Sequence, residues 1–108
     1  MTKYGFFSIV QKGLEKEFQI RARERIDIDH AARMTGAGPV IKTPKGDYAY
    51  RIEVTHQELQ KLMRVLIEDL DYNNFKSMIA LQEDQKGKLD AYHDVWGIME
   101  KHCRIEDV

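Results

Sequence analysis

DYAYRIEVTHQELQKLMRVL, residues 47–66, changes period partway along. Up to Val54 the side chains alternate. Tyr48, Tyr50, Ile52 and Val54 fall on one face and Ala49, Arg51 and Glu53 on the other, the pattern of a strand with one buried side. From Thr55 the apolar spacing lengthens to three and four, and Leu59, Leu62, Met63, Leu66 and Leu70 form one stripe of an amphipathic helix. At the switch, Thr55-His56-Gln57-Glu58 fits a capping box, in which each of the two polar side chains satisfies the other's free backbone N–H. Strands gathered in the first half of the chain and helices in the second suggest the class α+β.

Upstream, the pattern is mostly strand. Tyr4 to Val10 is rich in aromatic and β-branched residues, and Glu17 to Ile26 alternates. Phe18, Ile20 and Ala22 point one way, and Gln19, Arg21, Arg23 and Arg25 the other. The two runs pair as a hairpin with a loop near Lys12 to Lys16. Asp27 or Asp29 can cap a short helix through His30 to Met34, which Gly36 ends. Val40 to Thr43 and Asp47 to Val54 form a second hairpin around Pro44-Lys45-Gly46.

Downstream, Tyr72-Asn73-Asn74-Phe75 interrupts the helical pattern, and Asn73 can cap a new turn that runs through Ile79. Tyr72 and Phe75 read as an aromatic plug at a helix junction. Gln82 to Gly87 is a charged break, after which Leu89, Tyr92, Val95, Trp96 and Met99 make a further stripe. The expected architecture is one α+β domain over residues 1–108. It has an antiparallel sheet of about four strands with helices packed on one face, in the order ββαββαα.

Composition narrows the setting. The chain has 108 residues, 43% hydrophobic and 32% charged, with a net charge of −1. Its single cysteine, Cys103, provides no internal disulfide and fits a reducing cytoplasm. No apolar run approaches the roughly 20 residues of a membrane helix, and Met1-Thr2-Lys3-Tyr4 does not open a signal peptide. A cytoplasmic protein without a membrane partner is expected.

The charge is uneven. Residues 1–54 carry ten basic and seven acidic side chains, whereas residues 55–108 carry seven and eleven. If helices cover one sheet face, the other offers Arg21, Arg23, Arg25 and Arg51 beside Tyr4 and Phe6 from the first strand. That set is the candidate interaction surface. The leading expectation is a non-catalytic module that binds a protein partner, or itself as a homodimer, through this face. Arginines interleaved with aromatics also suit single-stranded nucleic acid, held by phosphate contacts and base stacking. A net charge of −1 argues against that alternative, because nonspecific affinity for a polyanion grows with the phosphates neutralised. A third reading is a small mobile-element protein that inhibits a host defence complex.

Chemistry-bearing patterns are weak. His102-Cys103 pairs two zinc-ligand types, but adjacent helical residues diverge by about 100°, and no Cys-x-x-Cys or His-x-x-x-His spacing adds further ligands. Asp69-Leu70-Asp71-Tyr72-Asn73 begins like a calcium loop. It then places Asn74 where the turn needs glycine and Ala80 where a bidentate carboxylate is needed. Asp90 and His93 suit a helix-surface pair better than an acid–base couple. Nucleophile-elbow, phosphate-loop and dinucleotide patterns are absent. No catalytic residue, metal ligand or cofactor is assigned.

Five stretches run in order along the chain: Gly5 to Val10, Arg21-Ala22-Arg23, Asp47 to Arg51, Leu70 to Lys76 and Ala91 to Trp96. Through them the chain resembles a family of small bacterial proteins of similar length with no established function. The resemblance implies a single-domain cytoplasmic protein and supplies no activity, cofactor or catalytic residue.

Overall fold

Alternation in β1 (Phe7–Lys12), β2 (Glu17–Ala22) and β4 (Tyr50–Thr55) builds the sheet, and the short β3 (Ile41–Lys42) completes it. The computed structural model describes residues 1–12 and 17–103, so the first hairpin's loop beyond Lys12 lies outside the described residues. All pairings are antiparallel and the spatial order is β1-β2-β4-β3. The expected class and a four-stranded antiparallel sheet are therefore present, but among the described residues three α-helices follow the last strand where the expected order ββαββαα had two. The chain divides into two compact units, Met1–Asp71 and Tyr72–Val108.

In the first unit, Ile20, Ala22, Ile52 and Val54 line one sheet face. They are buried with Ile28 and Ala31 of α1 (Arg25–Thr35) and Leu62 of α2 (His56–Glu68). Burying one such aliphatic side chain stabilises the fold by about 1.5–3 kcal/mol. Helix α2 starts at the expected capping box: Thr55 accepts the Glu58 N–H at 3.2 Å, and Glu58 accepts the Thr55 N–H at 2.8 Å. Its stripe is narrower than the spacing implies. Leu59 and Leu66 pack on the core, while Met63 is exposed and Leu70 lies beyond the helix end.

Helix α1 stops where expected, with Gly36 in the left-handed region at φ 72°. Its start differs from the expectation. Glu24 occupies the N-cap position, and neither Asp27 nor Asp29 caps. Asp27 is instead buried in the first turn, where it accepts the Phe6 N–H at 3.1 Å. Asp29 pairs with Arg25 at 2.9 Å.

In the second unit, α3 (Phe75–Leu81) is capped by Asn74 rather than Asn73, through a 3.1 Å bond from the Ser77 N–H. A 3-10 turn over Lys86–Lys88 leads into α4 (Leu89–His102). Ile79 and Tyr92 are buried, and the Phe75 ring lies 5.4 Å from that of Tyr92. Val95, Trp96 and Met99 are exposed although they continue the expected stripe. Helix α3 has 7 residues against 14 in α4, so it is too short to run alongside both halves. No helix among the described residues is long and apolar enough to cross a membrane.

Candidate functional site

Both helices of the first unit pack on the face that carries Ile20 and Ile52, so the alternation leaves Ser8, Gln19, Arg21, Arg51 and Glu53 on the reverse. Arg21 and Arg51 are direct cross-strand partners in the β2–β4 register. Two like charges placed this way repel unless something else holds them.

The guanidiniums are held in part by neutral groups. Arg21 donates from Nη2 to the Ser8 hydroxyl at 2.8 Å. Its guanidinium carbon stands 4.7 Å from the centre of the Tyr48 ring, and that of Arg23 stands 4.2 Å from it. Arg23 also reaches Asp47 at 3.2 Å and lies 5.7 Å from the Phe6 ring. Such guanidinium–ring contacts contribute about 0.5–2 kcal/mol each, according to how far water is excluded.

Part of the arginine chemistry remains open. The Nε atoms of Arg21 and Arg51 are both buried and have no hydrogen-bond partner among the described residues. An unpaired buried donor costs about 1–3 kcal/mol, and more when the group is charged. Beside them is a hollow of about 400 Å³, lined by Lys12, Gln19, Arg21 and Arg51, with Thr43, Asp47 and Tyr48 from the β3–β4 connection. Groups from three strands and a loop converge there. A larger hollow of about 540 Å³ is lined by residues of α4 alone, such as His93, Trp96 and Lys101, and is a surface groove along one helix.

The expected surface is therefore redrawn. Arg21 and Arg51 form its centre, and Arg23 is at its rim, in the bend after β2. Arg25 is not on the sheet: it is the first residue of α1, which forms because Ile28 and Ala31 reach the core at helical spacing, and it pairs with Asp29 one turn on. Tyr4 precedes β1, its hydroxyl donating to Asp69 and its ring standing edge-on to His30. Phe6 also lies before the strand, with the Arg23 guanidinium near its ring. Tyr48, expected on the core face with Tyr50, lies instead in the bend ahead of β4 and covers the arginines. The alternation of residues 48–54 concealed this role. The turn at Gly46-Asp47 was the available signal, since a bend there releases Tyr48 from the strand's facing.

The acid Asp69 holds the Tyr4 phenol in its neutral form, with its pKa raised to about 12 by that hydrogen bond and then by burial and the nearby carboxylates. His93 and Asp94 lie exposed on α4, and Cys103 is exposed just beyond it. Among the described residues no group of three or more His, Cys, Asp or Glu side chains converges. Comparison with protein-family models, with curated proteins and with solved structures finds no match.

Proposed function

We propose that this protein is a non-catalytic recognition module that binds an acidic protein partner through the sheet face opposite α1 and α2, centred on Arg21 and Arg51. The observation that carries the reading is the cross-strand pairing of these two arginines, with both buried Nε donors unmet among the described residues. An arriving carboxylate or other oxyanion would offset the like charge of the pair. Arginines with aromatic support are also the residues on which protein interfaces concentrate binding energy.

Single-stranded nucleic acid is less well supported. Base stacking needs a bare ring, and Tyr48 already has two guanidiniums over it, while Tyr4 and Phe6 lie off the strand.

The test is capture from a cell lysate together with light scattering, on the wild type and on an Arg21→Gln/Arg51→Gln double variant whose fold is checked by circular dichroism. The expected result is a partner, or a second copy, retained by the wild type in a salt-sensitive way and lost by the variant. A strict monomer that retains no protein, or retention unaffected by the double variant, would count against the proposal.

A further inference from the structure

We infer that the uncovered half of α4 pairs antiparallel with the same segment of a second copy of this chain, Trp96 of each helix packing on Met99 of the other. This surface belongs to the second unit and is independent of the arginine pair in the first.

The seam lies along α4 at heptad spacing. Leu89, Tyr92, Trp96, Met99 and Cys103 follow one another at intervals of three, four, three and four, which sets them along one line of the helix. Helix α3 covers the first half of that line: Tyr92 is buried, its ring 5.4 Å from that of Phe75. The second half has no cover. Every residue from His93 to Cys103 is exposed, with Trp96 at 52% and Met99 at 53%. A helical stretch this short draws most of its stability from packing of its apolar face. The Trp96 ring is braced by Lys76, whose Nζ lies 4.8 Å from its centre, and by the His93 ring stacked on it at 6.0 Å. Bracing reduces the entropy lost when a partner covers the ring.

Symmetry and charge select a second copy as that partner. A twofold axis passing between Gly97 and Ile98 sets Trp96 opposite the partner's Met99 and Met99 opposite the partner's Trp96. A flexible thioether packs well on an aromatic ring. On one flank His93 then meets the partner's Glu100, and on the other Val95 meets the partner's His102. The histidine–glutamate contact forms twice, while Asp94 and Lys101 point away from the seam. A parallel pair would instead bring the two Trp96 side chains to one level, set Glu100 beside the partner's Val95 and align the helix dipoles unfavourably. The contact spans about two turns, short of the roughly 800 Å² per partner of a stable complex, so the dimer forms and dissociates with concentration.

The experiment is sedimentation velocity on the full chain from micromolar to millimolar concentration, read together with the emission of Trp96, the single tryptophan. The expected result is a monomer–dimer equilibrium in which dimer formation moves that emission to shorter wavelength. Met99→Glu, at an exposed position, abolishes the dimer. Glu100→Lys weakens it about fivefold, since the contact occurs twice, and adding His93→Glu to the same chain recovers most of the loss. The Arg21→Gln/Arg51→Gln variant leaves the dimer unchanged. A monomer at every concentration would overturn the inference and leave the face to another protein. A dimer that persists in Met99→Glu, disappears with the arginines or leaves Trp96 emission unmoved would overturn it as well. A double exchange that recovers nothing would overturn the antiparallel pairing.

Discussion

Asp27 occupies the space where a side chain at Gly5 would begin. A Cβ built on Gly5 would lie 2.5 Å from the Asp27 Cγ, and the glycine has φ 155°. The same carboxylate accepts the Phe6 N–H and is itself buried at 1% exposure. One close approach thus ties the segment before β1 to the first turn of α1. Gly5→Ala is expected to destabilise the protein by about 1–3 kcal/mol through overpacking and backbone strain. Urea denaturation measures this, and pairing the change with Asp27→Gly should cost less than the two single effects combined. Strict additivity would show that the two positions do not meet.

Removing the capping box should cost less. Thr55→Ala leaves the Glu58 N–H without its acceptor, with an expected loss of about 1 kcal/mol. Because Glu58 returns a bond to the Thr55 N–H, Glu58→Ala and Thr55→Ala should overlap in a double-mutant cycle. Equal and independent losses would argue against reciprocal capping.

The Tyr4–Asp69 bond predicts an alkaline signature. The folded pKa of Tyr4 is raised from 10.0 to about 12, so the folded chain keeps a proton that the unfolded chain gives up. Stability from this bond is complete below pH 10 and declines as pH rises toward about 12. Denaturation of the wild type and Tyr4→Phe at a series of pH values checks the sign. The wild-type advantage should shrink across that interval, and an advantage that grows would contradict the assignment.

Arginine repulsion gives a test that needs no ligand. Arg21 and Arg51 face each other across β2 and β4, so Arg51→Thr removes a like-charge contact and places a β-branched residue in a strand. In anion-free, low-salt buffer the variant should be more stable than the wild type by about 0.5–1 kcal/mol, with a smaller gain at high salt. Such a gain is the mark of a pair kept for binding rather than for folding. A clear loss of stability would mean that Arg51 is structural.

Local chemistry in the sequence revealed more than long-range placement did. The Thr55–Glu58 cap and the Gly36 stop are short-range devices and were readable from three or four residues. The facing of Phe18, Ile20 and Ala22 followed from alternation, and the core uses that face. The same alternation misled at Arg23 to Ile26, because Arg25 opens a helix whose Ile28 and Ala31 reach the core at a spacing of three. Tyr48 was misplaced because a bend, not a strand, precedes Tyr50. The stripe from Leu89 to Met99 marked a helix correctly, but periodicity carries no information on whether a neighbour is long enough to cover it. At the candidate site, Arg21 and Arg51 were legible from facing alone. Their direct opposition was not, since it depends on the register between β2 and β4, and no local pattern spans the sequence that separates the two strands.

Amide mapping with an acidic probe tests the central claim most directly. A short glutamate-rich peptide is added to 15N-labelled protein while the backbone and arginine side-chain signals are followed. The account predicts saturable, salt-sensitive shifts grouped at Gln19, Arg21, Thr43, Tyr48 and Arg51. Shifts grouped on α1 and α2 instead, or none at any peptide concentration, would contradict it.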